Sequence, residues 1–127
     1  MRNYKFRAYD NEDNRMHYLD DKGVIFVIDN VGISLYLDDG TEIVYFDLMQ
    51  YTDNKDMNGK EIYEGDIVNC YDKEEEPHFN GIVAFNDCGF VIKEGCVTHY
   101  RWIDYYITVI GNIYDNPELL KVVNKWI

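Results

Sequence analysis

Three observations in the sequence predict a mainly β fold. Apolar residues alternate with polar ones or gather in short β-branched runs, as at Val24-Ile-Phe-Val-Ile28, Ile33-Ser-Leu-Tyr-Leu37 and Gly81-Ile-Val-Ala-Phe85, which is the pattern of strands. Turn dipeptides such as Asp39-Gly40 and Asn58-Gly59 separate the runs, and their residues tolerate the positive φ of tight hairpins. Aromatic residues make up 16% of the chain, with 12 Tyr among them; Tyr suits a pleated surface with one dry and one wet side. The expected architecture is an N-terminal hairpin-rich β region, an SH3-like small barrel and a short C-terminal helix.

At 127 residues the chain fits one domain without room for two independent cores. We read 1–127 as that domain, with an N-terminal β subregion over 1–52 and the barrel subregion with its terminal helix over 53–127. In chain order, Tyr4–Tyr9 and Met16–Leu19 form a hairpin around the polar loop Asp10–Asn14. Val24–Ile28 is a continuous apolar strand, too short for a helix, whose continuity implies burial on both faces. Ile33–Leu37 pairs through Asp38-Asp39-Gly40 with Glu42–Phe46. Asp47–Thr52 is a strand or one helical turn.

Gly65-Asp66 opens a buried strand through Ile67, Val68 and Cys70, with Ile62 and Tyr63 closing one end of its sheet. Asp72–Pro77 is charged and closed by proline, so it is expected to stay in water. Gly81–Phe85 and Gly89–Lys93 form a hairpin around Asn86–Cys88, Glu94-Gly95 turns into Cys96–Trp102, and Tyr105–Ile113 completes the β pattern. Asn116-Pro117-Glu118 combines an N-cap residue, proline at the first helical position and an acid in the first turn, so a helix runs from Pro117 into Val122 or beyond. Leu119, Leu120, Val123 and Trp126 would dock it.

The block Gln50–Val68, reading QYTDNKDMNGKEIYEGDIV, resembles the central signature of the YopX family of phage and prophage proteins. Lys5-Phe-Arg-Ala-Tyr-Asp10 and Val109-Ile-Gly-Asn-Ile-Tyr-Asp-Asn-Pro-Glu-Leu-Leu120 agree with the same family, so the resemblance touches both ends and the middle. One departure is Asp53, where the family pattern leads to Gly, and it bears on the local turn type. The resemblance implies a small, mostly β protein carried by phages or prophages of Gram-positive bacteria. It implies no reaction and no catalytic residues.

Charge narrows the partners. Lys and Arg number 12 against 24 Asp and Glu, a net charge of −12, which repels phosphate backbones and anionic lipid. Direct nucleic-acid binding is therefore not expected. Residues 10–53 concentrate the acidity, with eleven acids against Arg15 and Lys22; such a face is solvated, seeks a basic partner or imitates nucleic acid. No apolar run reaches the ~20 residues that span a bilayer, and no signal peptide leads the chain, so a cytoplasmic protein with reduced Cys70, Cys88 and Cys96 is expected.

The chemistry-bearing constellations are incomplete. Asn54, Asp56, Asn58 and Gly59 match the first half of a calcium loop, but Gly65 stands where the bidentate glutamate is required, so an ordinary polar turn is the better reading. Zinc needs clustered ligands, and Cys70, Cys88, Cys96, His78 and His99 offer only the loose pair Cys96 and His99. Ser34 lies mid-strand without a nucleophile-elbow context. A cysteine nucleophile served by His99 or His78 competes with the commoner role of Cys as core packing. Glu61, Glu64 and Asp66 lie close together at a strand entry, where acids accept backbone hydrogen bonds.

The sequence therefore points to no catalytic, metal or cofactor site. The functional expectation is a non-enzymatic binding or accessory module with an unidentified protein partner. The alternatives are an acidic decoy for a host nucleic-acid-binding protein, acting through Asp20, Asp21, Asp38 and Asp39, and a metal-dependent hydrolase with a dispersed site. Many strand edges leave room for homo-oligomers.

Overall fold

The computed structural model describes residues 4–71, 77–86, 89–102 and 105–123, with the backbone only at 77, 78, 122 and 123. The chain is mainly β, and its helical elements among the described residues are the short terminal stretch and a 3-10 position at Trp102. It divides into two compact units, one over Tyr4–Gln50 and one from Tyr51 onward.

In the first unit, β1 (Phe6–Asp10) and β2 (Arg15–Tyr18) form the expected hairpin, with Ala8 opposite His17. Asp10 shapes its loop, one carboxylate oxygen accepting from the amides of Glu12 and Asp13 at 2.9 and 3.3 Å, an Asx turn. β6 (Phe46–Lys55) lies on the other side of β1, pairing through Phe46–Gln50. β1 is thus central, which explains why Arg7, Ala8, Tyr9 and Asp10 are buried in succession. Asp47–Thr52 is entirely strand.

A three-stranded sheet follows in the order β3 (Val24–Ile28), β4 (Ile33–Leu37), β5 (Glu42–Ile43). Ala8, Leu35 and Ile43 form the buried cluster of this unit, with Val24, Phe26, Leu37 and Phe46 packed against it. β3 departs from the expectation of two buried faces: Ile25, Val27 and Ile28 are 51%, 40% and 65% exposed. β3 turns Val24 and Phe26 to the cluster and their alternates Ile25 and Val27 to solvent, as the period of two requires, while Ile28 is exposed at the strand's end.

The second unit holds the end of β6, then β7 (Glu61–Tyr63), β8 (Asp66–Tyr71), β9 (Pro77–Asn86), β10 (Gly89–Glu94), β11 (Val97–His99) and β12 (Tyr106–Asn112). Its main sheet is antiparallel in the order β11-β10-β9-β8-β12: a four-strand meander, with the last strand returning beside β8. Ile62, Val68, Cys70, Phe79, Val83, Ile92, Trp102 and Ile107 form its core; burying a side chain of this size stabilises by about 1.5–3 kcal/mol. Gly81 is fixed by close approach, since a Cβ there would meet the Ile92 side chain and lie 2.9 Å from the Lys93 carbonyl oxygen. Residues 72–76 and the 87–88 part of the expected β9–β10 turn lie outside the described residues.

The terminal helix begins as a 3-10 turn, Pro117–Leu119, and continues as α1 (Leu120–Val123). Asn116 makes no side-chain cap. Instead its Oδ1 accepts from the Asn112 amide at 3.1 Å and sits against Gly111, so the residue locks the end of β12 to the turn. Trp126 and the side chain of Val123 lie outside the described residues.

Candidate functional site

The signature block folds around one carboxylate. Asn58-Gly59 makes the expected turn, with Gly59 at φ 84°, and Asp56 Oδ1 accepts from the amides of Asn58 and Lys60, both at 2.9 Å. Its other oxygen, Oδ2, accepts from the Val109 amide of β12, also at 2.9 Å. The backbone reinforces this join, since the Met57 amide donates to the Ile107 carbonyl at 2.9 Å. Asp56 is therefore a buried strut between two segments far apart in sequence, with both oxygens committed to backbone amides. That is the polar-turn role, and it aims the oxygens at amides instead of a shared cation centre.

Asp66 plays a similar part. It is almost wholly buried and its Oδ2 accepts from the Tyr63 amide at 2.8 Å, closing the β7–β8 turn in which Gly65 has φ 84°. Gly65 donates to the Val83 carbonyl and accepts from the Ile113 amide. Asp53, where the family pattern leads to Gly, has φ 67° at the register shift between Tyr51 and Lys55. The left-handed conformation is kept there, and Asp is among the few non-glycine residues that adopt it readily.

Among the described residues the cysteines and histidines gather into no metal-binding group. Cys70 is buried in the core, and burial, then the negative charge of Glu94, pushes its thiol up to about 12, so at neutral pH it is a packed thiol and not a nucleophile. Cys96 is exposed at the β10–β11 turn, unlike the core position expected for it. His99 stacks on Phe79 at 3.8 Å between ring centroids and pairs with Glu94 Oε1 at 3.1 Å. Cys88 and the side chain of His78 lie outside the described residues. Among the described residues no group of three or more His, Cys, Asp or Glu side chains is arranged to hold a metal ion. Ser34 sits within β4 opposite Val27.

Beside the Asp56 strut the second unit opens into a cleft of about 190 Å³, lined by Met57, Ile62, Trp102, Tyr105, Tyr106 and Ile107, with Asn54, Lys55 and Asp56 completing the wall. Trp102 is fixed because its Nε1 donates to the Phe90 carbonyl at 2.9 Å. Tyr105 meets Phe79 edge-on at 5.2 Å. Met57 and Tyr106 are 60% and 53% exposed, so the cleft presents adaptable sulfur and aromatic surface over a rigid floor. The sequence hid this cleft: Met57 lies in a turn, Trp102 after a strand and Tyr106 at a strand start, and each looks ordinary alone.

The comparisons with known proteins agree with one another. The family model YopX, described as YopX protein, matches residues 5–121. The chain is 32% identical over 139 aligned positions to the SPbeta prophage-derived uncharacterized protein YopX of Bacillus subtilis (strain 168), covering 95% of this chain and 98% of that one. The X-ray structure of protein yopX from Bacillus subtilis superposes with a TM-score of 0.68 at 32% identity, over 91% of this chain and 96% of that one. The crystal structure of protein EF1440 from Enterococcus faecalis superposes with a TM-score of 0.62 at 30% identity, over 94% and 99% respectively.

Proposed function

Because this chain belongs to the YopX family, we propose that it is a non-enzymatic, prophage-encoded binding module of the bacterial cytoplasm, whose second unit docks a short extended segment of a protein partner. The observation that carries this reading is the cleft of Met57, Trp102, Tyr105 and Tyr106, exposed at its rim while its one buried carboxylate, Asp56, is committed to backbone amides. A net charge of −12 favours a segment in which an apolar residue is flanked by Lys or Arg, since aromatic faces attract cations as well as apolar surface. The strand order β11-β10-β9-β8-β12 supports reading this unit as an SH3-like barrel, a scaffold that hosts many unrelated binding roles. Prophage origin is supported by the name of the Bacillus relative.

The test is an array of short peptides varying the apolar residue and its basic flanks, read by fluorescence polarisation against the wild type and a Met57→Ala/Tyr106→Ala variant. Binders whose affinity falls at least tenfold in the variant, about 1.4 kcal/mol, would support the reading. Unchanged affinity in the variant, or turnover by the pure protein that disappears on Glu64→Ala, would overturn it.

The decoy reading has its own support, because Asp20, Asp21, Asp38 and Asp39 are all exposed. Yet Asp21 and Asp39 accept from the amides of Tyr18 and Thr41, each at 2.9 Å, so these acids also have work as turn builders. Competition with DNA for a basic host protein separates the readings: a decoy loses its effect when the four aspartates become asparagines. Self-association through the apolar edge strand β3 is a further partner hypothesis, checked by whether Ile25→Lys lowers the sedimentation coefficient.

A further inference from the structure

A second cleft lies wholly within the first unit. It is an open groove of about 490 Å³, bordered by Arg15, Met16 and His17 of β2, by Asp21, Lys22 and Gly23 of the following connection, by Val24 at the start of β3, and by Leu37, Asp38 and Asp39 at the β4–β5 turn. Arg15 and Lys22 are the only two basic residues against eleven acids in positions 10–53, and both border it. His17 is 7% exposed, and among the described residues its ring makes no hydrogen bond. Its ring nitrogens are therefore available to bond a bound group in place of water.

The wall opposite is acidic and shaped. Gly23 has φ +80°, and a Cβ there would lie 3.2 Å from Asp38 Oδ2. Glycine therefore makes room for the Asp38 carboxylate, whose own backbone amide donates to the Gly23 carbonyl at 2.9 Å. Among the described residues Arg15, Lys22 and Asp38 form no ion pair or side-chain hydrogen bond. A bare anion is disfavoured by Asp21, Asp38 and Asp39, and a bare cation by Arg15 and Lys22. A ligand with both charges satisfies both walls, and Met16, Val24 and Leu37 add apolar surface.

We propose that this cleft is a binding site for a small zwitterion of amino-acid or dipeptide size, its carboxylate held by Arg15 and Lys22, its ammonium by Asp38, and a polar atom hydrogen-bonded to His17. The volume falls in the range of small-molecule sites, about 300–1,000 Å³. Charge-assisted hydrogen bonds to the guanidinium and carboxylate supply the specificity.

The experiment is a ¹H–¹⁵N NMR titration of the full chain with glycyl-leucine, with its N-acetyl form and with its C-terminal amide. Expected are saturable shifts at His17, Gly23 and Asp38 with the zwitterion, and binding about tenfold weaker for either blocked form, the effect of losing one charge-assisted contact. Arg15→Gln/Lys22→Gln replaces exposed side chains, preserves the fold and should abolish discrimination between the dipeptide and its amide. His17→Gln, which keeps a hydrogen-bonding side chain, should bind better than His17→Phe. No saturable shift, shifts elsewhere only, or equal binding of all three forms would overturn the proposal.

Discussion

The two units use most of their aspartates differently. In the second, Asp56 and Asp66 are internal parts, buried and accepting from backbone amides, while Val68 and Ile92 belong to an apolar core of eight described residues. In the first, the buried cluster is Ala8, Leu35 and Ile43, β3 shows apolar side chains to water, and, apart from the buried Asp10, aspartates such as Asp29 and Asp39 organise exposed turns. Burial decides what an aspartate is worth, because a buried acceptor lost leaves amides unsatisfied, whereas an exposed one is replaced by water.

This contrast can be broken most forcefully at Gly81. Its Cα has no room for a methyl group against Ile92 and the Lys93 carbonyl, so Gly81→Ala should destabilise the second unit by about 3 kcal/mol or more, read by urea unfolding. Asp56→Ala should follow at about 2–4 kcal/mol, while Asp29→Ala in the first unit should stay near 1 kcal/mol or below. Equal losses for the two aspartates would remove the distinction.

The cysteines sharpen it further. Cys70 has its thiol pushed up from 9.0 to about 12. The unfolded thiol ionises first, so the folded state is favoured below pH 9 and loses stability as pH rises from 9 towards 12. A thiol reagent at neutral pH should modify exposed Cys96 and reach Cys70 only after denaturant is added, as mass spectrometry would show. The smallest effect belongs to β3: Ile25→Thr should alter stability by less than about 0.5 kcal/mol, since its side chain already faces water.

Local chemistry was legible in the sequence, and long-range chemistry was not. Asn58-Gly59 and Asp39-Gly40 announce their hairpins because turn conformation is decided by the residues in the turn. Val24–Ile28 misleads, since a continuous apolar run is the same string whether its strand is central or at an edge; only the sheet order reveals which. Asn116 carries a capping side chain, yet it accepts from the Asn112 amide and packs on Gly111 instead of serving the helix amides. The bond from Val109 to Asp56 spans 53 residues, and nothing near either residue encodes it. The same limit hid the clefts, each assembled from segments distant in sequence.

The central claim is that the second unit recognises a partner segment through its aromatic cleft. Its most direct test is to map, by NMR, the tightest peptide from the array onto assigned resonances of the full chain. The account expects the largest shifts at Met57, Tyr105 and Tyr106 and their loss in the Met57→Ala/Tyr106→Ala variant. Shifts confined to residues 4–50, or unchanged in that variant, would contradict it.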